Sequence, residues 1–242
     1  MGIAVLCPLS AQPVVPAKAG LISYTRGTVY LDNQRIAAST TRFIPVQENA
    51  VVRTERGRAE VLLGPCAVLR MDEDSSLRLV SNRLTEPRVD LLAGAAVVEI
   101  AALGKGASVT LGVSAVPVAM ARAGLYRFDF APPEVKVFQG RATVERTGGR
   151  IGVSTGRMLA WDAQTPEKFD IREGDALDLW SRRRSLALAR SQRPRRMGGM
   201  AGGGGGTPNL WPVPDASQSG GRGGMQTGPP LWAPRDTGCR AR

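Results

Sequence analysis

The chain has 242 residues and a formal net charge of +11, and it contains no histidine. Without histidine, Ser-His-Asp and Cys-His catalytic pairs and histidine metal ligands are excluded. Residues 181–242 hold eleven arginines and two acids, a net charge of +9, whereas residues 1–180 carry only +2. The usual inference from a high pI to nucleic acid or a membrane surface therefore concerns the C-terminal tail alone.

The N-terminal segment resembles part of an export signal. Residues 1–11 (MGIAVLCPLSA) form a short apolar stretch with no lysine or arginine before it, and small residues follow at 10–11 and 17–19. We interpret residues 1–19 as a truncated signal peptide and leader whose true start lies upstream, with a cytoplasmic leader as the alternative. No stretch of the chain approaches the ~18 consecutive apolar residues of a membrane-spanning helix.

Residues 20–172 predict one β domain. Short runs rich in β-branched and aromatic residues alternate with turn residues roughly every 8–12 positions. In the run 126–130, for example, Tyr126, Phe128 and Phe130 share one face. The predicted strand runs are 21–25, 28–31, 50–54, 59–63, 67–71, 77–80, 89–92, 96–100, 108–111, 126–130, 135–138, 142–146 and 151–153.

Turn residues divide these runs. Turns are predicted at 26–27, at Asp32–Asn33 and at 55–57, and Pro117 predicts an edge strand or a bulge. No connection is long enough for a crossover helix. The sequence thus predicts an all-β fold, a multi-stranded sandwich or β-roll of short antiparallel hairpins, with one C-terminal capping helix and a disordered tail.

A glycine followed closely by a valine-containing strand recurs along the domain. It appears at Gly27, Gly57, Gly94 and Gly140. Two interpretations stay open: a repeated strand–glycine–strand unit that stacks into one core, or the ordinary use of glycine in hairpin turns.

Several of these segments resemble the FecR family. Residues 51–63 (VVRTERGRAEVLL) are similar to its T-x-x-G-x-A hairpin, and 76–79 (SLRL) to its serine-led strand. Residues 89–94 (VDLLAG) and 134–144 (EVKVFQGRATV) are similar to its later strands and turns, so the resemblance extends over about 21–159. Gly64-Pro65-Cys66 replaces the family's L-x-D-G-S, and 121–128 (ARAGLYRF) lacks its threonine.

The resemblance implies an extracytoplasmic β domain that binds a partner. Family regulators of sigma factors carry a cytoplasmic helical segment and a transmembrane helix before this domain, and neither is found here. We therefore expect a stand-alone periplasmic, or otherwise extracytoplasmic, bacterial module without the anti-sigma role. Its expected partner is an envelope protein or polysaccharide, with no small-molecule substrate and no transmembrane span.

The three cysteines are Cys7, Cys66 and Cys239, and none lies at a metal-ligand spacing. Cys66 stands among apolar residues, so we interpret it as a buried thiol that packs as a small hydrophobe. A disulfide between Cys66 and Cys239 is the alternative.

Residues 175–192 predict a helix, within a segment bounded at 173–193. Asp175 is the N-cap candidate and Asp178 lies in the first turn, where the helix dipole favours an acid. Leu177 and Trp180 are expected to pack onto the β domain as a cap. A basic amphipathic helix at a membrane surface is the alternative.

Residues 194–242 predict a disordered tail, rich in glycine, proline and arginine. Two Leu-Trp pieces, at 210–212 and 231–234, predict either short docking motifs or incidental aromatic residues. Arg222 lies in a single Gly-Gly-Arg-Gly-Gly unit, which is weak support for RNA binding.

The sequence predicts no catalytic, cofactor-binding or metal-binding residue and no cofactor, and hence a protein that is not an enzyme. A carboxylate-pair glycosidase using Asp72, Glu73 and Asp74 is the alternative to a solvated acidic turn, which we favour. The main alternative to an envelope module is a nucleic-acid-binding protein acting through its basic tail, although nucleic acid is not the expected partner.

Overall fold

The computed structural model describes residues 19–37 and 43–191. Within these ranges, sixteen strands join one sheet and one helix follows. Most of the predicted leader and the whole predicted disordered tail lie outside the described residues. The elements are β1 (Leu21–Leu31), β2 (Gln34–Ile36), β3 (Ile44–Pro45), β4 (Val51–Gly64), β5 (Ala67–Met71), β6 (Ser76–Ser81), β7 (Arg88–Ala93), β8 (Ala95–Ile100), β9 (Val109–Val113), β10 (Val116–Met120), β11 (Gly124–Phe130), β12 (Pro133–Gln139), β13 (Arg141–Arg146), β14 (Gly149–Ser154), β15 (Arg157–Ala160), β16 (Glu167–Lys168) and α1 (Ala176–Ser191).

The sheet is rolled into two layers. Its strand order is β14-β13-β10-β9-β7-β6-β4-β5-β8-β11-β12-β15-β16, with β1 paired along β4. The N-terminal end of β4 pairs with β6 and its C-terminal half with β5, so the sheet turns a corner within β4. We call β6, β7, β9, β10, β13 and β14 the first layer and β5, β8, β11, β12 and β15 the second layer. Because β11 contacts β7 and β9, the layers face each other, and the predicted all-β roll is confirmed.

Alternating side chains of both layers meet in one apolar core. On β6, Leu77 and Leu79 are buried and Arg78 is exposed, as the alternation predicts. Tyr126 and Phe128 of β11 are fully buried, which confirms the inward face predicted for that strand.

Two predicted turns are wrong, because the chain continues through them as strand. Gly27 lies inside β1 and Gly57 inside β4, and the two are register partners. Gly27 has φ +72°, and a Cβ on either glycine would overlap the backbone of the opposite strand. The pair therefore lets two long strands bend together at the corner of the roll, where larger residues could not approach so closely.

Gly94 and Gly140 also mark corners. Gly94 separates β7 of the first layer from β8 of the second, and Gly140 separates β12 of the second layer from β13 of the first. Both have positive φ, and a Cβ on Gly140 would overlap the Tyr126 hydroxyl. The recurring glycines thus lie at places where the sheet turns a corner or the chain changes layer.

The structure also gives the geometry at the predicted Asp32–Asn33 turn and at Pro117. Asp32 and Asn33 have φ of 47° and 66° and close the two-residue hairpin between β1 and β2. The edge strand or bulge predicted at Pro117 is wrong, because β10 lies between β9 and β13 and pairs with both without a register shift. Pro117 is tolerated there because it pairs with Gly112 of β9 and the β13 ladder begins only at Val118, so the proline needs no N–H on that side. The pairs are antiparallel except β7 with β9, which run parallel.

Cys66 differs from the favoured interpretation. It is half-buried in the turn between β4 and β5 and is disulfide-bonded. The buried free thiol is therefore wrong, and the bonded partner lies outside the described residues. The alternative pairing with Cys239 stays a prediction.

The segment after β15 connects the two layers. The Trp161 indole N–H donates a hydrogen bond of 2.9 Å to the Val113 carbonyl of β9. The Arg146 guanidinium of β13 donates to the carbonyls of Ala160 and Ala163, at 2.9 and 2.7 Å. Beyond this closure, α1 packs on the outer face of the second layer, and no helix of the described residues is long and apolar enough to span a membrane.

Candidate functional site

The most highly organised group of polar residues lies beneath α1, on the side of the second layer that faces away from the core. We call it the α1-docking face. Its charged members alternate with core residues along β4, β5, β8 and β11, and an apolar strip crosses it. The face consists of Tyr24, Glu60, Arg70, Val97, Glu99, Leu125 and Arg127.

The first turn of α1 is capped by two carboxylates. The Asp175 carboxylate accepts hydrogen bonds from the N–H groups of Leu177 and Asp178, at 2.9 and 3.1 Å. Asp178 in turn accepts the Asp175 N–H at 3.2 Å, which completes a reciprocal capping box. Both predicted helix-start residues are confirmed, and the predicted start at 175 agrees with the observed N-cap.

Two apolar side chains attach α1 to the sheet. Leu177 is fully buried and Trp180 is 8% exposed, and both pack against Val97. The Trp180 ring also lies 6.1 Å from the Tyr24 ring. These contacts confirm the predicted packing of Leu177 and Trp180 onto the β domain. Burial of each apolar side chain contributes about 2 kcal/mol.

Arg127 of β11 binds the start of the helix. Its guanidinium contacts Asp175 at 2.7 Å, Asp178 at 2.9 Å and, within its own strand, Asp129 at 2.8 Å. Burial opposes ionisation of Asp175, but hydrogen bonds from Arg127 and from backbone N–H groups outweigh it and lower its pKa to about 2. At Asp178, burial prevails over Arg127 and raises the pKa.

Arg70 of β5 is the centre of a second cluster and is only 1% exposed. Its Nε donates to Glu60 at 3.0 Å, and its Nη1 contacts Glu99 and the Ser181 hydroxyl of α1. Arg184 of α1 reaches Glu60 at 3.1 Å. Burial raises the pKa of Glu60, but the charges and hydrogen bonds of Arg70 and Arg184 lower it by a larger amount, so the pKa is below its usual value.

These groups are arranged to hold a helix. Each carboxylate of the α1-docking face already contacts a guanidinium of the sheet, and the cleft between α1 and the sheet has room for about one water molecule. In the part of the chain that the structure describes, no group of three or more candidate ligands could hold a metal ion. The geometry of this cleft supports structural ion pairing between helix and sheet.

The acidic turn of Asp72, Glu73 and Asp74, the alternative carboxylate-pair site, connects β5 of the second layer with β6 of the first. Asp72 pairs with Arg58 at 2.8 Å, whereas Glu73 and Asp74 are exposed. The adjoining Ser75 is buried, and its hydroxyl exchanges hydrogen bonds with the backbone of Ala95. The favoured interpretation as a solvated turn agrees with these positions.

The sheet also has an open edge at β14. Of the described strands that pair on one side only, β14 is the longest, with six residues bonded to β13 alone. Gly149, Arg150, Gly152 and Ser154 are exposed. An edge of this kind presents backbone donors and acceptors to which another strand can add.

Sequence reasoning did not find the α1-docking face. The available signal was a charged residue within otherwise apolar runs, as at Glu60, Arg70 and Glu99. On its own, such a residue is also what a solvated strand face shows. Only the position of α1 reveals that these charges are buried and meet.

Comparison with known proteins gives limited similarity. No family model matches the chain, and no curated protein matches it. Two crystal structures of a "putative anti-sigma factor" from Parabacteroides distasonis ATCC 8503, at 2.50 and 1.65 Å resolution, are similar to it with a TM-score of 0.42 and 10% identity. Each alignment covers 50% of this chain and 61% of that protein, so the chain spans less than two thirds of its length.

Proposed function

We propose that this chain is a non-catalytic, extracytoplasmic FecR-like module of the bacterial cell envelope that binds an envelope protein. The observation that carries the binding role is the open edge of β14. Six residues of this strand are bonded on one side, and most are exposed. An extended segment of a partner could pair with this edge through main-chain hydrogen bonds. This geometry favours a protein over a polysaccharide as the partner.

The ion pairs beneath α1 support the non-catalytic part of the proposal. An active site usually holds a titratable group next to a cleft, with its pKa tuned toward the working pH. Here the pKa values of Glu60 and Asp175 are lowered by arginines that also fix α1 to the sheet. Carboxylates with such values stay ionised and act as structural partners.

Two features support an extracytoplasmic location. The disulfide at Cys66 is of a type that persists in oxidising compartments and is rare in the cytosol. The resemblance of residues 21–159 to the FecR family implies the same compartment. The alternative function, nucleic-acid binding through the basic tail of residues 181–242, concerns mostly residues outside the described ranges and stays a prediction.

Site-specific photo-crosslinking in cells tests the proposal. A photoreactive phenylalanine is placed at Arg150 on the β14 edge and, as a matched control, at Arg78 on the interior strand β6. Both arginines are exposed on the outer face of the first layer. We expect an envelope protein to be crosslinked from position 150 and not from position 78.

Two outcomes would contradict the proposal. Crosslinking from position 78 alone would place the partner on the sheet face instead of the edge. The absence of any envelope protein crosslinked from either position would remove the binding role.

A further inference from the structure

Each charged side chain of the α1-docking face keeps an ion-pair partner without α1. Within the sheet, Arg70 pairs with both Glu60 and Glu99, and Arg127 pairs with Asp129. These cross-strand and same-strand pairs would persist if the helix moved away. An uncovered face would therefore be an ordinary solvated, salt-bridged sheet surface with a short apolar strip.

The attachment of α1 combines two buried apolar side chains with several polar contacts. Among its described side chains, only Leu177 and Trp180 are apolar and buried, and Leu179 is 46% exposed. Ser181 and Arg184 provide further contacts through a hydroxyl and a guanidinium. The Arg184 Nε is buried without a hydrogen-bond acceptor among the described residues, so its burial carries an uncompensated penalty.

The connection to α1 would permit movement. Residues 170–176 are all exposed, and their backbone hydrogen bonds are local, from Arg172 and Glu173 back to Asp170 and within the helix cap. Within the described range, the Asp175 contact with Arg127 is the one side-chain bond that joins this connection to the sheet. A segment of this kind can change conformation at small cost to the roll.

We propose that α1 is a releasable cover: it leaves the sheet as one unit, under control of ionic strength, while the β-roll stays folded. Release uncovers Val97, which lies between Arg70 and Arg127 in the sheet, together with Leu125 beside Glu99 and Tyr24 beside Glu60. Salt promotes release because it screens the ion pair between Arg127 and the 49% exposed Asp175 side chain. The Arg184 contact with the buried Glu60 is screened much less. The covered and uncovered forms would differ in the surface available to a partner. Binding at this surface would be regulated separately from binding at the β14 edge.

Hydrogen–deuterium exchange of the full chain, followed by mass spectrometry, tests this inference. Exchange is measured in 0.05 M and 1 M NaCl at one pH. We expect peptides from α1 to exchange up to about fivefold faster at high salt, because weaker docking raises the population of the open form. Peptides from β9 and β13 of the first layer, which lies on the other side of the core from α1, should keep their rates.

A variant gives a second readout. Asp175→Asn retains an N-cap side chain but removes the charge that contacts Arg127, so α1 should exchange faster already at low salt and show a smaller salt effect. Glu145→Gln, on the exposed face of β13, is the matched control and should behave as the wild type. If α1 and the strands of the roll exchange together under all conditions, or if the rate in α1 does not depend on salt, the inference is wrong.

Discussion

Replacing Arg70 with methionine removes the guanidinium that holds two carboxylates beneath α1. Arg70 is 1% exposed and contacts Glu60, Glu99 and the Ser181 hydroxyl. Removal of one partner of a buried ion pair typically costs about 3–5 kcal/mol, because the remaining charge is left without compensation. Since Arg184 still contacts Glu60, we expect a loss near the lower end, about 3 kcal/mol in the free energy of unfolding.

Arg53→Met is the matched control. Arg53 also lies on a strand and pairs with a carboxylate, Glu55, but these side chains are 41% and 43% exposed. A surface pair of this kind contributes about 0–1 kcal/mol. Urea denaturation followed by circular dichroism gives both free energies. Equal losses in the two variants, or a loss below about 1 kcal/mol for Arg70→Met, would refute the reasoning.

Three further predictions concern the corner, the helix cap and the closure of the roll. Gly27→Ala should lower the melting temperature strongly and Gly148→Ala hardly at all, because of these two glycines only Gly27 has backbone atoms where a Cβ would lie. Similar melting temperatures of the two variants would contradict the role of Gly27 at the corner of the roll. The pKa of Asp175 falls from 3.8 to about 2 on folding, so the stability it contributes is complete above about pH 4 and is lost as the pH falls toward 2. Because Asp175 is half-exposed, screening reduces that contribution to about 1 kcal/mol, and Asp175→Asn should remove this part of the pH profile measured by urea denaturation. Trp161→Phe should cost about 1 kcal/mol through the lost hydrogen bond to Val113, and an unchanged free energy of unfolding would contradict the closure.

The sequence was most informative where local chemistry decides the structure. Side-chain alternation predicted the inward faces of β6 and β11, and Asp32–Asn33 predicted a tight hairpin. Asp175 and Asp178 predicted the start of α1 because the capping pattern depends on neighbouring residues.

The sequence was least informative where distant segments meet. Gly27 and Gly57 have the same residue pattern as hairpin turns, and only their pairing shows that both strands continue through a corner. Likewise, Glu60 and Arg70 are consistent with a solvated strand until α1, more than a hundred positions later, covers them. Pairing over such separations is set by the fold as a whole and leaves no local pattern.

Cell fractionation of the tagged full-length protein tests the proposed function most directly, because compartment separates an envelope module from a cytoplasmic nucleic-acid-binding protein. Thiol labelling of each fraction, before and after reduction, reports the oxidation state of Cys66. We predict that the protein is found in the periplasmic or envelope fraction, with Cys66 labelled only after reduction. A protein confined to the cytoplasmic fraction, with Cys66 labelled without reduction, would contradict the account.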